Sequence, residues 1–257
     1  MIIRPRIIPT LLIDNQKLVK TVKFKKPDYL GDPINAIKIF NEKGVDELCL
    51  LDITITKEKR KIDYGFLHDA ASEAFMPLSY GGGIKSVEEI EKILAIGFEK
   101  VVINTSLSQN EELVKDSATI FGSQSIVASI DYKRDIYIDR CYIRDGSQRI
   151  NCDALELAKK AEQMGAGEIL LYSINHDGTG KGYDIKTIKK ISENVAIPVI
   201  ACGGAGSLKD IRQVLCEGRA SAAAAGSLFV YFGNKKAVLI NFPDEQTLFE
   251  EGIYRKQ

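Results

Sequence analysis

The sequence has no excess charge of either sign and no hydrophobic run long enough to cross a membrane. Lysine plus arginine and aspartate plus glutamate both number 35, so a formal charge of +0 provides no general attraction to nucleic acid or to an anionic membrane. Residues 220–232 form the most apolar stretch, but serine and glycine interrupt it. We therefore expect no nucleic-acid or membrane partner and a cytoplasmic location.

Metal-binding residues are also scarce. The five cysteines are widely spaced and contain no C-x-x-C pair, and the two histidines, His68 and His176, are far apart and near no cysteine cluster. Zinc sites usually bring such ligands together at short spacings. The sequence therefore predicts reduced thiols, no metal site and no cofactor.

What the sequence does contain is a βα pattern. Its 257 residues are 45% hydrophobic and 27% charged, which suits a folded globular protein in the length range of single α/β barrels. Short β-branched runs alternate with amphipathic helical patterns, as in a parallel sheet covered by helices. The predicted strands are residues 7–12, 47–53, 76–80, 100–103, 125–131, 168–173, 199–202 and 222–225.

An internal repeat indicates how these strands are arranged. Residues 44–48 resemble residues 165–169, and residues 77–86 resemble residues 198–207, both at an offset of 121. Helix start signals recur at Asp32-Pro33 and in the Ser86 and Ser207 capping patterns. Four βα units repeated twice predict one (β/α)8 TIM barrel domain over residues 1–257, with its active site at the C-terminal ends of the strands.

Two glycine clusters predict phosphate binding. Each follows a strand and precedes a helix, where backbone N–H groups can meet an anion. The alternative is that the glycines only make tight turns, but their duplication favours a ligand with a phosphate at each end. The predicted phosphate-binding residues are Gly82, Asn104 and Thr105 in the first half, and Gly203, Gly204, Gly226 and Ser227 in the second.

Three aspartates lie at or after strand ends, where carboxylates suit acid–base chemistry. Asp131, at the end of the fifth strand, is the preferred candidate. Asp52 is better explained by helix capping or by a salt bridge to a neighbouring lysine, and Asp177 is open to either interpretation. His176, in the same loop as Asp177, receives no role.

A second group of charges lies at the opposite end of the barrel. Four residues stand at or just before the starts of strands one, two, four and six: Arg6, Glu47, Lys100 and Glu168. Charges on this face usually stabilise a barrel. Two cations and two anions across the axis would pair into a plug that closes this end of the barrel. The alternative is that they gate the passage of a small molecule.

These features together resemble the cyclase subunit family of imidazole glycerol phosphate synthase over residues 4–229. The motifs that carry the resemblance include Arg6-Ile7-Ile8-Pro9, Lys20, Gly81-Gly82-Gly83-Ile84, Ile103-Asn104-Thr105, Asp131-x-Lys133-Arg134, Asp177-Gly178-Thr179 and Gly203-Gly204-Ala205-Gly206. The resemblance implies a barrel that receives ammonia from a separate glutaminase docked on its floor, as a heterodimer. It also implies catalysis by Asp131 and Lys20, contact of Asp177 with a phosphorylated substrate, and an ammonia gate at the four charged residues.

The sequence departs from this family at two places. Leu12 stands where the family has a second catalytic aspartate at the end of strand one, so ring closure should be impaired unless Asp14 takes over. The tail, residues 230–257, is atypical and reads as extended through residue 243, where an eighth helix is expected. Both features resemble the acetamidino-modification branch, which works with a glutaminase and a sugar amidotransferase on surface-polysaccharide sugars.

Four hypotheses for the function follow. The first is an ammonia-handling subunit for acetamidino-sugar synthesis, and the second is an authentic cyclase of histidine biosynthesis. The third is a non-catalytic module that docks a glutaminase. The fourth is the sister isomerase, against which the charged residues and Lys20 argue. A sugar amidotransferase gene beside a glutaminase gene would favour the first, and neighbouring histidine-pathway genes the second.

Overall fold

Eight parallel strands close into a barrel in the computed structural model, which describes residues 2–135, 138–233 and 235–256. The strands are β1 (Arg6–Asp14), β2 (Leu48–Asp52), β3 (Leu78–Gly81), β4 (Lys100–Ile103), β5 (Ile126–Arg134), β6 (Glu168–Ser173), β7 (Val199–Cys202) and β8 (Ala222–Ala225). Each strand pairs with the next, and Ala222 of β8 pairs with Arg6 of β1 to close the ring. The predicted (β/α)8 fold is confirmed.

Helices between the strands and after β8 cover the outside of the barrel. They are α1 (Pro33–Glu42), α2 (Ile55–Glu58), α3 (Tyr64–Ser72), α4 (Val87–Ile96), α5 (Thr105–Gln109), α6 (Glu111–Phe121), α7 (Ala154–Gln163), α8 (Ile185–Ser192), α9 (Leu208–Cys216), α10 (Ser227–Val230) and α11 (Glu245–Glu250). The predicted start signals are present, because Asp32 caps α1 and both Ser86 and Ser207 form full capping boxes. Within the described ranges, no helix is long and apolar enough to cross a membrane.

Two hairpins extend from the C-terminal ends of the strands, which we call the mouth of the barrel. Lys17–Lys20 pairs with β1 and with Asp28–Gly31. Asp139–Ile143 pairs with the end of β5 and with Gln148–Asp153. Neither hairpin is predicted from the sequence, and the second places its turn over the mouth.

The core has two parts. A large outer cluster lies between the strands and the helices, and a smaller cluster fills the barrel interior. The interior cluster includes Ile8, Cys49, Val102, Val127, Leu170, Ile200 and Ala222. These side chains form an apolar layer between the mouth and the opposite end of the barrel, which we call the floor.

The tail is partly extended, as predicted. Tyr231–Phe232 pairs with Ala237–Val238, and the short helix α11 follows. Arg255–Lys256 then pairs with Ile2–Ile3 at the floor. The tail is packed against the barrel, since Leu248, Ile253 and Tyr254 are buried.

The five thiols differ in exposure. Cys49, Cys141 and Cys202 are buried, Cys152 is half-buried, and Cys216 at the end of α9 is exposed. Burial raises the pKa of the Cys49 thiol to about 12 and also raises the pKa of the Cys202 thiol. The buried thiols are therefore held in their neutral form at neutral pH.

Candidate active site

A cavity of about 560 Å³ opens at the mouth, mainly over the first half of the barrel. Its volume falls within the range of small-molecule binding pockets. The polar and charged side chains around it include Asp52, Lys59, Lys85, Asn104, Thr105, Ser129, Asp131, Arg144 and Asp145. Leu12, Phe24, Leu51, Val102 and Tyr172 supply much of its apolar surface.

The first glycine cluster forms one wall of this cavity. Gly82 has a φ of +139°, and a Cβ atom there would lie 2.7 Å from the carbonyl oxygen of Asp52. Only glycine fits that position without moving the main chain. Opposite it, Asn104 donates to the carbonyl oxygen of Ser129 at 3.1 Å, and the Thr105 hydroxyl accepts from the Arg144 N–H at 3.3 Å. Gly82, Asn104 and Thr105 therefore lie on one cavity, as the prediction of a phosphate site requires.

Asp131 lies at the inner end of the same cavity. It is buried, and the Ser129 hydroxyl donates to its Oδ1 at 3.2 Å. Burial raises the pKa of the Asp131 carboxyl to about 7, with smaller contributions from the negative charges of Asp145 and Asp177. A carboxyl that titrates near neutral pH is suited to give or take a proton.

Asp145 and Arg144 are cavity residues that the sequence analysis missed. They occupy the turn of the second hairpin, with φ values of +56° and +52°. Burial raises the pKa of Asp145 to about 7, like that of Asp131. Asp131 and Asp145 thus both face the cavity with a pKa of about 7, and two consecutive left-handed residues hold the turn in a conformation that is strained for non-glycine residues.

The second glycine cluster has a different environment. Gly203, Gly204, Gly226 and Ser227 line a cavity of only about 10 Å³, with Lys20, Tyr172 and Asp177 on its other side. A cavity of that size holds one water molecule at most. Gly203 and Gly204 are buried and Gly226 and Ser227 are half-buried, so the four predicted phosphate-binding residues of the second half are close together and partly open to solvent.

Asp177 is held by four donors from this part of the protein. Lys20 Nζ lies 2.7 Å from its Oδ1 and the Tyr172 hydroxyl 3.0 Å from the same oxygen. The Thr21 hydroxyl and the Phe24 N–H donate to Oδ2 at 2.8 and 3.3 Å. Lys20 and Asp177 are thus buried as an ion pair, which was one of the two interpretations of Asp177.

The remaining mouth residues have structural partners. Asp52 accepts from the Ile55 N–H at the start of α2 and pairs with Arg60, each at 3.1 Å, but Thr54 is the N-cap residue and the salt-bridge partner is an arginine, not a lysine. Asp14 accepts from the Thr54 hydroxyl and is not among the residues that line the cavity. The Nδ1 atom of His176 lies 2.8 Å from the Ser173 hydroxyl.

At the floor, the four predicted charged residues form a closed ring. Arg6 contacts Glu47 at 2.6 Å and Glu168 at 2.5 Å, and Lys100 contacts the same two carboxylates at 2.9 and 3.1 Å. Each cation is therefore shared by both anions. Glu47 is the most deeply buried of the four, with 4% of its side chain exposed.

Comparison with known proteins agrees with this arrangement. A family model described as "Histidine biosynthesis protein" matches residues 6–236. The chain is 48% identical to the "Putative imidazole glycerol phosphate synthase subunit hisF2" of Pseudomonas aeruginosa, over 96% of this chain and 98% of that protein. It is 44% identical to the "Putative imidazole glycerol phosphate synthase subunit hisF3" of Vibrio vulnificus, over 94% of each chain.

A third relative carries the same subunit name without a qualifier. The "Imidazole glycerol phosphate synthase subunit HisF" of Petrotoga mobilis is 42% identical, over 88% of this chain and 90% of that protein. The similarity therefore extends over nearly the whole barrel. The chain belongs to the histidine biosynthesis protein family, and within it to the HisF-like cyclase subunits of imidazole glycerol phosphate synthase.

Proposed function

We propose that this chain is the ammonia-using subunit of a glutamine amidotransferase complex in the cytoplasm. A glutaminase docks on the floor, ammonia passes the charged ring and the apolar layer, and it reacts with a phosphorylated substrate in the mouth cavity. The observation that carries this proposal is the closed ring of Arg6, Glu47, Lys100 and Glu168, which lies across the axis beneath the mouth cavity.

The ring suits the control of a small neutral molecule. Its two cations and two anions balance, so the floor presents no net charge from these groups. Above it, the interior cluster is apolar, and neutral ammonia can cross such a layer at a lower desolvation cost than an ammonium ion. Displacing Lys100 would leave each carboxylate in contact with Arg6 and would open one side of the ring.

The cavity supplies the acceptor chemistry. Gly82, Asn104 and Thr105 hold the substrate phosphate, and Asp131 exchanges a proton at the other end. Lys20 has a catalytic role only if its ion pair with Asp177 opens. Leu12 provides no proton-transfer group where the resemblance implies a second acid, so cyclisation is weak or replaced by another use of ammonia.

The biological setting that we propose is acetamidino modification of surface-polysaccharide sugars, together with a sugar amidotransferase. Leu12 and the hairpin-containing tail support this branch. The similarity to relatives named as second and third HisF subunits is compatible with a role beside the histidine pathway.

An isotope experiment tests ammonia transfer. The chain is reconstituted with the glutaminase and the acceptor enzyme encoded beside it, and is supplied with glutamine labelled with ¹⁵N in its amide group in the presence of unlabelled ammonium. We expect the product to keep the label, and we expect Lys100→Met to lower the ratio of labelled product to glutamine hydrolysed while the complex still forms. Lys115→Met, in an exposed ion pair on α6, is the matched control.

An unchanged ratio in Lys100→Met would make the ring a structural plug and would favour the docking-module hypothesis. Full exchange of the label with bulk ammonium in the unmodified complex would contradict ammonia transfer itself.

A second candidate function is the cyclase reaction of histidine biosynthesis. The cavity position of Asp131 and its pKa of about 7 favour it, because both suit acid–base catalysis on a bound phosphorylated substrate. Turnover of the ribulosyl bisphosphate substrate at rates comparable with a two-aspartate enzyme would establish this candidate.

A further inference from the structure

The turn of the second hairpin brings a carboxyl to the mouth cavity. Tyr142, in the first strand of that hairpin, pairs with Asp131 at the end of β5, and the chain reaches Asp145 three residues later. Asp131 and Asp145 both line the cavity of about 560 Å³. The hairpin therefore places Asp145 beside the same space as the carboxyl that we assign to proton exchange.

This turn is held on two sides. The Arg144 N–H donates to the Thr105 hydroxyl at 3.3 Å, which ties the turn to the start of α5. On another side, a Cβ atom at Gly146 would lie 3.1 Å from the ring of Phe24, so only a glycine allows the two to pack this closely. These contacts fix the main chain on both sides of Asp145 and give its carboxyl a defined position.

The conformation of the turn is unfavourable in itself. Three consecutive residues, Arg144, Asp145 and Gly146, have positive φ values of +52°, +56° and +67°. Aspartate tolerates this region better than most residues, so the strain falls mainly on Arg144. Strained turns that the surrounding structure holds in place are concentrated at functional sites. The turn therefore has the character of a site element and not of a simple connection.

The two carboxyls are suited to share a proton. Burial is the main reason that the pKa of each is about 7, and the charge of Asp145 also raises the pKa of Asp131. At neutral pH two such groups hold about one proton between them, so one can donate while the other accepts. The charged groups around the pair are Asp14, Asp52, Lys57, Lys59, Lys85, Arg144 and Asp177.

We infer that Asp145 is a second acid–base residue of the mouth cavity and acts with Asp131 on a carbonyl carbon of the ligand. This inference rests on the proposed function and deepens it by naming the ligand class, a phosphorylated carbonyl compound. Asp145 enters from the hairpin after β5, whereas Leu12 belongs to β1. The pair therefore approaches the ligand from other walls than the pair that the resemblance implies, which suits a use of ammonia other than ring closure.

The step is the addition of ammonia to the carbonyl carbon. The nitrogen lone pair forms the N–C bond, and the π electron pair of the C=O bond moves to the oxygen. The neutral carboxyl gives its proton to that oxygen, and the carboxylate takes a proton from the nitrogen. The product carries a hydroxyl and an amino group on one carbon, and the carboxyl pair again holds one proton. Loss of water from this product gives an imine.

A trapping assay on the isolated chain tests the inference. Ribulose 5-phosphate, a phosphorylated ketone, is supplied with ammonium salt and with cyanoborohydride, which reduces the imine to an amine that mass spectrometry measures. We expect the unmodified chain to accelerate amine formation, with a bell-shaped pH profile centred near pH 7. Asp145→Asn should lower kcat by about 10²-fold, change KM by less than about threefold and remove one limb of the profile.

Two further variants separate the carboxyl from the turn. Asparagine followed by glycine is a favoured turn pair, so Asp145→Asn should keep the hairpin. Asp145→Glu should restore the bell-shaped profile and bring kcat to within about tenfold of the unmodified chain. Ser147→Ala is the matched control, because it removes a hydroxyl that donates to the Arg144 carbonyl oxygen at 2.6 Å in the same turn, and it should keep both kcat and the profile.

No acceleration by the unmodified chain, full activity in Asp145→Asn, or an equal loss in Ser147→Ala would each overturn the inference. If Asp145→Asn does not fold, a profile with a single limb in the unmodified chain, or no activity in folded Asp145→Glu, overturns it instead. The assay contains no glutaminase and free ammonium bypasses the floor. A failure of ammonia transfer through the charged ring, which would contradict the proposed function, therefore leaves these outcomes unaffected.

Discussion

The two halves of the barrel share a backbone and differ in what that backbone can bind. Strands β3 and β7 begin and end at positions related by the 121-residue offset, and so do the Ser86 and Ser207 capping boxes. At the same offset Leu51 becomes Tyr172, whose hydroxyl donates to the buried Asp177. Repetition has preserved the glycine turns, while the side chains around them differ between the two halves.

The largest effect on the cyclisation rate should come from placing a further carboxyl at the mouth, where Leu12 now stands. With ammonium salt and the ribulosyl bisphosphate substrate, we expect little cyclisation by the unmodified chain. Leu12→Asp should raise the rate by about 10²-fold, at the lower end of the range for one acid–base group, because Leu12 lines the same cavity as Asp131.

The matched control is Leu12→Asn, which has nearly the same shape as the aspartate variant and no titratable acid. If the asparagine variant gains as much as the aspartate variant, the improvement comes from pocket shape and the acid–base explanation is wrong. Single-turnover rates at pH 7 provide the measurement.

The next prediction concerns whether the two glycine turns are equally intolerant of a side chain. A Cβ atom at Gly204 would overlap the carbonyl oxygen of Gly182, just as one at Gly82 approaches the main chain of Asp52. We expect Gly204→Ala and Gly82→Ala each to lower the free energy of unfolding by about 4 kcal/mol.

Gly44→Ala is the control for these two variants. Gly44 also has a positive φ of +66°, but nothing lies within 4 Å of an added Cβ, so we expect a cost of about 1 kcal/mol. Urea unfolding monitored by circular dichroism gives all three values. Equal losses of unfolding free energy at the three positions would show that the positive φ, and not the close approach of neighbouring atoms to a Cβ, makes glycine necessary.

A smaller effect should appear in the pH dependence of stability. Because the pKa of Asp131 is about 7 in the folded chain and about 4 when unfolded, its stabilising contribution is complete below pH 4 and is lost as the pH rises through 7. The shift sets an upper limit of about 4 kcal/mol. Hydration from the open cavity lowers this, so we expect Asp131→Asn to gain about 2 kcal/mol over the unmodified chain between pH 4 and pH 8.

Urea unfolding at four pH values between 4 and 8 measures this difference. Glu91→Gln, at an exposed side chain on α4, is the control and should follow the unmodified chain at every pH. A constant difference between Asp131→Asn and the unmodified chain would contradict the raised pKa.

The smallest effect concerns the two ends of the barrel. Phe75 precedes β3 at the floor and is 91% exposed, whereas Phe232 follows β8 at the mouth and is 62% exposed. If the glutaminase docks at the floor, Phe75→Ser should weaken its binding by about tenfold. Phe232→Ser should leave the dissociation constant unchanged. Calorimetric titration of each variant with the glutaminase measures both constants. A weaker complex for Phe232→Ser than for Phe75→Ser would place the interface at the mouth.

The sequence predicts all eight barrel strands because each is a short, mainly apolar run between turn signals, and packing in the barrel interior and against the outer helices leaves little freedom in register. It does not predict the hairpin of Asp139–Ile143 and Gln148–Asp153, whose residues are mixed in polarity. Asp145-Gly146 is a recognised hairpin-turn dipeptide and was the available signal. That turn brings Asp145 into the cavity.

The candidate site could be predicted only in part, for a similar reason. Positions at strand starts place Arg6, Glu47, Lys100 and Glu168 at one end, because parallel strands all begin there. No local pattern shows that Lys20 and Tyr172 lie beside the second glycine cluster. Their positions depend on contacts with Asp177, more than 150 residues from Lys20 in the chain.

The uneven exposure of the five thiols offers a route to labelling the floor. Helix α9 follows β7 and leads to the start of β8, so Cys216 at its end lies at the floor, beside Arg255. A maleimide dye reacts with thiolates, which burial suppresses at Cys49 and Cys202. The unmodified sequence therefore carries a fluorophore attachment point on the face where the partner is proposed to dock.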